Sequence, residues 1–257
     1  MERQSLMASA RAFNFFGDNE DGVYGLDMEK AWNVGFNLSK TLTLDYRDGS
    51  IQFDIYRTQF ENQVVVDMEN SYEVNIYNLS GESFSTTAQI QIDYELIKFL
   101  DVRLAYRWVQ VETDFDIGGV EENQVRLQQP YTPEHRFFIN FGYETKKSLK
   151  ESNWTIDFTT QLIGEQRIPS TENNFVENRR EQASPSFFLL NCQVTGNFSK
   201  RLAVYAGVEN LLNYQQENPI IDADNPFENE FDASMVWGPI FGRNIYSGMR
   251  WKLTKEK

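Results

Sequence analysis

Cysteine and histidine are nearly absent from this chain: Cys192 and His135 stand alone among 257 residues. A lone cysteine excludes a disulfide framework and a thiolate metal cluster, and a lone histidine removes most of the usual metal constellations and general bases. Bases are also scarce. Lys and Arg number 24 against 38 Asp and Glu, a formal charge of −14. That balance argues against a partner with a phosphate backbone, so no nucleic acid is expected. Long apolar runs are missing too. Blocks such as residues 187–190 fall far short of the ~20 residues that a membrane helix needs. The first four residues are polar with no apolar stretch behind them. No signal peptide is read, which leaves a cytoplasmic protein or a piece of something longer.

What is present is aromatic and alternating. Phe, Tyr and Trp make up 14% of the chain, with 20 Phe, 12 Tyr and 5 Trp. The mean hydropathy of −0.54 fits a soluble protein, but it fits equally a transmembrane β-barrel, whose strands are only half apolar. Apolar residues recur with a period of two, and no helical stretch stands out. Trp32, Val34, Phe36, Leu38, Leu42, Leu44 and Tyr46 share one face, opposite small and polar residues. Further sets centre on Phe53, Ile90, Leu104, Ile139, Phe158, Leu190, Val204 and Met249, and residues 5–14 read as a weaker first strand. Connections alternate in length. Short turns are read at 48–50, 98–100, 146–153 and 199–201, and long loops at 15–28, 61–81, 113–133, 165–185 and 213–236.

This layout predicts an all-β chain, an antiparallel transmembrane β-barrel segment of about ten strands with short periplasmic turns and long extracellular loops. A soluble β-sandwich also alternates, but its strands are commonly only about 5–6 residues long. Aromatics near the short turns (Tyr46, Tyr94, Tyr143, Trp154, Phe198, Trp251) suit an interfacial girdle. Lys40 falls on the lipid face, which calls for a position near the membrane edge, around residues 38–42, from which it can snorkel. Charge divides along the same lines. The loop 15–28 holds Asp18, Glu20, Asp21 and Asp27, and the loop 213–236 holds Glu217, Asp222, Asp224, Glu228, Glu230 and Asp232, neither with a base. Turns and tail carry Lys98, Lys146, Lys147, Lys150, Lys200, Arg201, Lys255 and Lys257. On composition the acidic loops read as solvated surface.

Several segments resemble the C-terminal part of TonB-dependent outer-membrane receptors of the type common in Bacteroidetes. They are Ala-Arg-Ala-Phe-Asn-Phe-Phe at 10–16, Glu-Lys-Ala-Trp-Asn-Val-Gly at 29–35, Asp-Ile-Tyr-Arg-Thr at 54–58 and Asn-Gln-Val-Val-Val-Asp at 62–67. Pro-Glu-His-Arg at 133–136, Gly-Glu-Gln-Arg-Ile-Pro at 164–169 and Gly-Val-Glu-Asn-Leu-Leu at 207–212 follow. Trp-Gly-Pro-Ile-Phe-Gly-Arg at 237–243 and Tyr-Ser-Gly-Met-Arg-Trp at 246–251 look like the closing strand of that family. The resemblance implies that residues 1–257 are roughly the last ten strands of a 22-stranded barrel, with signal peptide, TonB box and plug domain upstream. It implies uptake of a scarce small ligand, a metal chelate such as a siderophore or a vitamin such as cobalamin. The partners implied are TonB through the N-terminal region, outer-membrane lipid and the barrel assembly machinery. No enzyme activity, cofactor or resident metal is implied. One departure is the tail: such barrels often end on an aromatic residue, whereas here Trp251 and Leu253 are followed by residues 254–257.

Ligand contacts are expected on the long loops, where Tyr24, Tyr131, Arg167 and Trp237 combine flat or charged side chains with loop positions. His135 reads as a strand-start residue. Acid runs at 18–22 and 222–225 offer oxygens for Ca²⁺, but neither has EF-hand spacing. Two alternatives stand beside the receptor. One is a self-contained ten-stranded outer-membrane hydrolase, with His135 reached by Asp114 or Asp116; the other is a soluble β-sandwich binding module.

Overall fold

A computed structural model describes residues 9–116, 124–148 and 152–253. Residues 5–8 of the expected first strand, Lys150, and the tail 254–257 with Lys255 and Lys257 lie outside the described residues.

The alternating segments form strands where the sequence places them. They are β1 (Ala12–Phe16), β2 (Lys30–Leu44), β3 (Arg47–Asn62), β4 (Val64–Asp67), β5 (Glu73–Asn78), β6 (Ser83–Ile97) and β7 (Leu100–Asp116). Then follow β8 (Gln124–Gln128), β9 (His135–Glu144), β10 (Asn153–Ile163), β11 (Phe187–Asn197), β12 (Leu202–Glu209) and β13 (Asn244–Trp251). One large antiparallel sheet runs in the order β13-β12-β11-β10-β9-β7-β6-β3-β2, with β8 added alongside β7 to make ten strands. A separate three-stranded sheet, β1-β5-β4, sits at the long-loop end.

The pairing register sorts the side chains into two faces, because alternate residues point to opposite sides of a strand. One row across all nine path strands reads Leu42, Gly49, Tyr94, Val102, Phe141, Phe158, Cys192, Val208 and Ile245. The next row on that face holds Lys40, Ile51, Ile92, Leu104, Ile139, Thr160 and Leu190. On the opposite face a row reads Thr41, Ser50, Asp93, Arg103, Asn140, Thr159 and Asn191. The apolar face is bare: Trp32, Val34, Phe36, Leu38, Phe53, Ile55, Ile90, Leu104 and Phe137 are all exposed. A sandwich would bury such a face against a second sheet; here the exposed band suits lipid on one side and a polar interior on the other. Girdle aromatics gather at the short-turn end, where Trp154 meets Phe198 edge-on at 5.8 Å between centroids.

Two local expectations need correction. The first hairpin does not turn at 48–50 but at Asp45 and Tyr46, whose φ values of 50° and 60° match a two-residue type I′ turn. Gly49 is part of β3 and serves a different need. A Cβ there would come within 3.0 Å of the Asp93 carbonyl oxygen and 2.9 Å of the Tyr94 ring, so glycine makes room for that ring. The weak N-terminal stretch also does not enter the large sheet. β1 pairs in parallel with β5 at the long-loop end, and the tenth strand of the large sheet is β8, paired with β7. Both β8 and the β4–β5 hairpin are too short for their alternation to register in sequence.

Candidate functional site

Buried residues concentrate at the long-loop end. One cluster joins Val65, Tyr77 and Phe115, with Leu79 and Leu127 packed against it. A second joins Ile168, Ile221 and Met235, with Tyr131 and Trp237 against it. The long loops therefore form a packed layer over the end of the sheet. The acidic loop 213–236 is only partly solvated, since Glu230 and Asp232 are 5% and 4% exposed.

Polar groups lock this layer together across long sequence separations. Arg11 Nη2 lies 3.0 Å from Asp232 Oδ2. Arg167 Nη2 donates to Glu69 Oε1 at 2.7 Å, and its guanidinium lies 5.9 Å from the centre of the Phe115 ring. Glu230 accepts from the Tyr72 hydroxyl at 2.9 Å, the Phe175 N–H at 2.8 Å and the Asn178 amide at 2.7 Å. Burial works against the Glu230 carboxylate, but those hydrogen bonds outweigh it and hold the carboxyl below the ordinary range. Asp67 goes the other way: burial lifts its carboxyl, only partly offset by the Glu69 N–H. Burial also pushes the Tyr131 phenol up to about 12, with the nearby Asp232 carboxylate adding to it.

Three of the four sequence-derived candidates converge. The Tyr131 N–H donates to the Arg167 carbonyl at 2.9 Å, and its hydroxyl donates to Met235 Sδ at 3.0 Å. Trp237 packs against Phe187 and Tyr214 at 5.9 and 6.5 Å between centroids. Tyr24 stands apart, exposed and stacked on Phe15 at 4.4 Å. Sequence reading missed Phe187, Tyr214 and Gln216. Phe187 falls on the polar-face row, opposite Ile163, and Tyr214 stacks flat on it at 4.7 Å. Gln216 accepts from the Trp237 and Gly238 N–H groups at 2.8 and 3.1 Å and donates to the Met235 carbonyl at 2.8 Å. The only sequence signal for Tyr214 was an aromatic residue in a loop, and a loop glutamine gives none.

Beside the Phe187–Tyr214–Trp237 stack opens a cleft of ≈ 480 Å³, lined by Arg180, Glu181, Tyr214, Gln216, Met235 and Trp237 among others. A larger groove of ≈ 880 Å³ is lined by Tyr106, Phe137 and Leu162 with Gln166 and Arg167. Because Tyr106, Phe137 and Leu162 belong to the apolar face, that groove opens outward and is the poorer place for a polar ligand.

The hydrolase alternative finds no matching geometry. His135 Nδ1 is hydrogen-bonded to the Tyr106 hydroxyl at 2.9 Å. Asp114 accepts from Arg126 at 2.8 Å, and Asp116 accepts from the Ser80 hydroxyl at 2.7 Å. Among the described residues no group of three or more His, Cys, Asp or Glu is placed to hold a metal ion. In the run 18–22, Asn19 is turned inward, donating to Asp27 at 2.6 Å and accepting from the Asp21 N–H.

Comparison with known proteins adds to this geometry. The family model described as "TonB dependent receptor-like, beta-barrel" matches residues 7–211. No curated protein matches the chain. Among solved structures, the ferric-catecholate import receptor Fiu from E. coli K12 is 15% identical with a TM-score of 0.58, covering 94% of this chain and 30% of its own. The ferric enterobactin receptor PfeA from Pseudomonas aeruginosa is 13% identical with a TM-score of 0.55, over 89% of this chain and 32% of its own. The copper transporter OprC is 12% identical with a TM-score of 0.58, over 90% and 33%. The chain thus spans about a third or less of the length of these structures.

Proposed function

This chain belongs to the TonB-dependent receptor β-barrel family, and on that premise we propose that it forms the C-terminal wall of a receptor taking up a scarce small ligand. The barrel is an outer-membrane one. In this reading residues 1–257 supply the last strands, and the remaining strands, the plug domain and the TonB box lie N-terminal to them. The ligand class is a metal chelate such as a siderophore, or cobalamin. The similarity to import receptors for ferric catecholate and ferric enterobactin favours the siderophore. The partners are TonB, engaged through the N-terminal region, outer-membrane lipid and the barrel assembly machinery. The work is transport and not catalysis.

The observation that carries this reading is the position of the ≈ 480 Å³ cleft. It lies within the loop layer, beside aromatic rings that cap a polar-face row. A ligand held there stands over the polar interior of the barrel wall, where a transport path would begin. Tyr131, Arg167 and Trp237 then act as a supporting group: Trp237 lines the cleft, while Tyr131 and Arg167 fix the loops around it.

The test is uptake by cells expressing the full-length gene, measured with radio-iron-labelled ferric catecholate, ferric hydroxamate and ferric citrate, with copper ion, and with labelled cobalamin. Energy-dependent accumulation of one of them, lost with Trp237→Ala and retained with Tyr24→Ala, is the expected result. No accumulation of any of the five above cells lacking the gene would overturn the metal-chelate and vitamin reading.

A further inference from the structure

We propose that Arg107 and Arg136 together bind a carboxylate on the polar wall of the barrel, directly beneath the loop layer. The two residues are register partners across β7 and β9. They belong to the polar-face row Asn37, Asp54, Gln89, Arg107, Arg136 and Ile163. Residues paired in this way hold their Cβ atoms ~4.5–5.5 Å apart, and like charges directly opposite are destabilising. Neither guanidinium makes an ion pair or a side-chain hydrogen bond among the described residues.

A shortage of acids does not explain this, since the chain holds 38 Asp and Glu against 24 Lys and Arg. Nearby arginines are satisfied. Arg103, on the same face of β7, donates to Asp93 at 2.6 Å, and Arg126 on β8 is held by both Asp114 and Glu82. Two acids near the pair in register or in sequence face other groups. Asp54, two strands away in the row, accepts from the Asn37 amide. Glu134, two residues before Arg136, faces His135 Nε2 at 3.8 Å. The wall therefore keeps two adjacent positive charges with no ion-pair partner among the described residues.

The surroundings fit a carboxylate. A small cleft of ≈ 150 Å³ is lined by both arginines, by Gln89 and Gln161, and otherwise by apolar residues such as Ala105, Phe138 and Ile163. That space is large enough for one carboxylate group. Paired guanidiniums offer planar, two-pronged donation to carboxylate oxygens, and the glutamine amides bring further donors. Depth in the wall follows from strand lengths: β9 begins at His135, so Arg136 is its second residue and the first polar-face position of that strand under the loops. The carboxylate has two sources, a free acid entering from outside or an Asp or Glu side chain of polypeptide filling the barrel.

The experiment is thermal unfolding of the full-length protein in detergent micelles, with sodium acetate compared against sodium chloride at equal ionic strength. It does not depend on which cargo is carried, so its failure leaves the transport reading intact. For a free acid, the expected result is a saturable rise in Tm with acetate, absent in Arg107→Gln and Arg136→Gln and partly kept in Arg107→Lys. For a side chain of the protein, acetate has no effect and both Gln variants lower the Tm, although each removes a repulsion. Folding of the variants is expected because Gln already occupies the neighbouring positions 89, 91 and 161 of this face. The proposal is overturned if acetate behaves as chloride and both Gln variants unfold at or above the wild-type temperature.

Discussion

Arg11 and Asp232 form an ion pair that is almost fully enclosed, with side chains 3% and 5% exposed and 3.0 Å between Nη2 and Oδ2. It ties the segment before β1 to the last long loop. The contact is one of charge and not an aligned hydrogen bond, because Asp232 Oδ2 and Arg11 Nε have no hydrogen-bond partner. Removing one member of a buried pair leaves the other charge uncompensated, at a cost of about 3–5 kcal/mol. Asp232→Asn is therefore expected to loosen the loop layer while the strands stay paired. Hydrogen exchange of the full-length protein in micelles should show faster exchange at Ala10 and Ile221, whose N–H groups bond to Phe231 and Asp232 carbonyls, and unchanged exchange in β6 and β7. Unchanged loop exchange would rule out a structural role for the pair.

Acid should open the same layer through Glu230. Its carboxyl titrates below the ordinary glutamate value of 4.5 because Asn178, the Phe175 N–H and Tyr72 favour the charged form over the cost of burial. A carboxylate with a depressed folded-state pKa contributes its stability in full above its unfolded value, and loses it as the pH falls through the folded one. Limited proteolysis within residues 172–182, compared between pH 7 and pH 3.5, should show cleavage rising at the lower pH. Glu230→Gln should be cleaved faster than the wild type at pH 7 and show a smaller further rise on acidification. An equal rise in both proteins would place the acid response elsewhere, for instance among the exposed carboxylates.

The legibility of this molecule in its sequence follows from what each part faces. A strand with lipid on one side and a polar interior on the other has to alternate, so β2, β3, β6, β7 and β9 to β13 announce themselves. The β4–β5 hairpin and β8 are 4 to 6 residues long and leave no period to read. Asp48-Gly49 imitated a turn, although Gly49 is required by the Tyr94 ring across the sheet. The loop layer was hardest. Its burial is achieved by Arg11, Glu230, Asp232 and Gln216, residue types that composition assigns to water. Tyr131, Arg167 and Trp237 could be picked as loop aromatics and a loop cation, but nothing local distinguishes them from Tyr24, which the fold leaves on its own stack with Phe15.

The two faces of the large sheet make opposite demands on the same substitution. Ile90 lies on the apolar face between Phe53 and Tyr106, two same-face positions from the girdle residue Tyr94, while Gln91 beside it points to the polar side. An arginine near the middle of the lipid-facing band costs about 2–4 kcal/mol. Ile90→Arg is expected to lower the unfolding free energy by that amount in denaturant titrations in lipid vesicles, whereas Gln91→Arg leaves it within about 0.5 kcal/mol. Equal effects at the two positions would contradict the assignment of faces.

Gln216 sets the position of Trp237 at the cleft through three hydrogen bonds from its side-chain amide. The Oε1 atom accepts from two successive N–H groups, Trp237 and Gly238, while Nε2 donates to the Met235 carbonyl. A second glutamine, Gln166, donates to the Trp237 carbonyl at 3.1 Å, so the tryptophan backbone is held from both sides. Gln216 is 7% exposed, and water cannot readily replace its amide. Gln216→Leu keeps the volume but leaves three backbone groups without partners, which costs about 1–3 kcal/mol for each group that stays buried and unpaired. The loop is expected to shift to recover solvent for them, carrying the Trp237 ring off Phe187 and Tyr214. Fluorescence should report this when every tryptophan except Trp237 has been replaced by Phe. The emission of Gln216→Leu should move to longer wavelength and become more accessible to acrylamide, whereas Gln215→Leu should leave both unchanged. If the Gln216→Leu spectrum matches the parent, ring packing alone positions Trp237 and the glutamine clamp is dispensable.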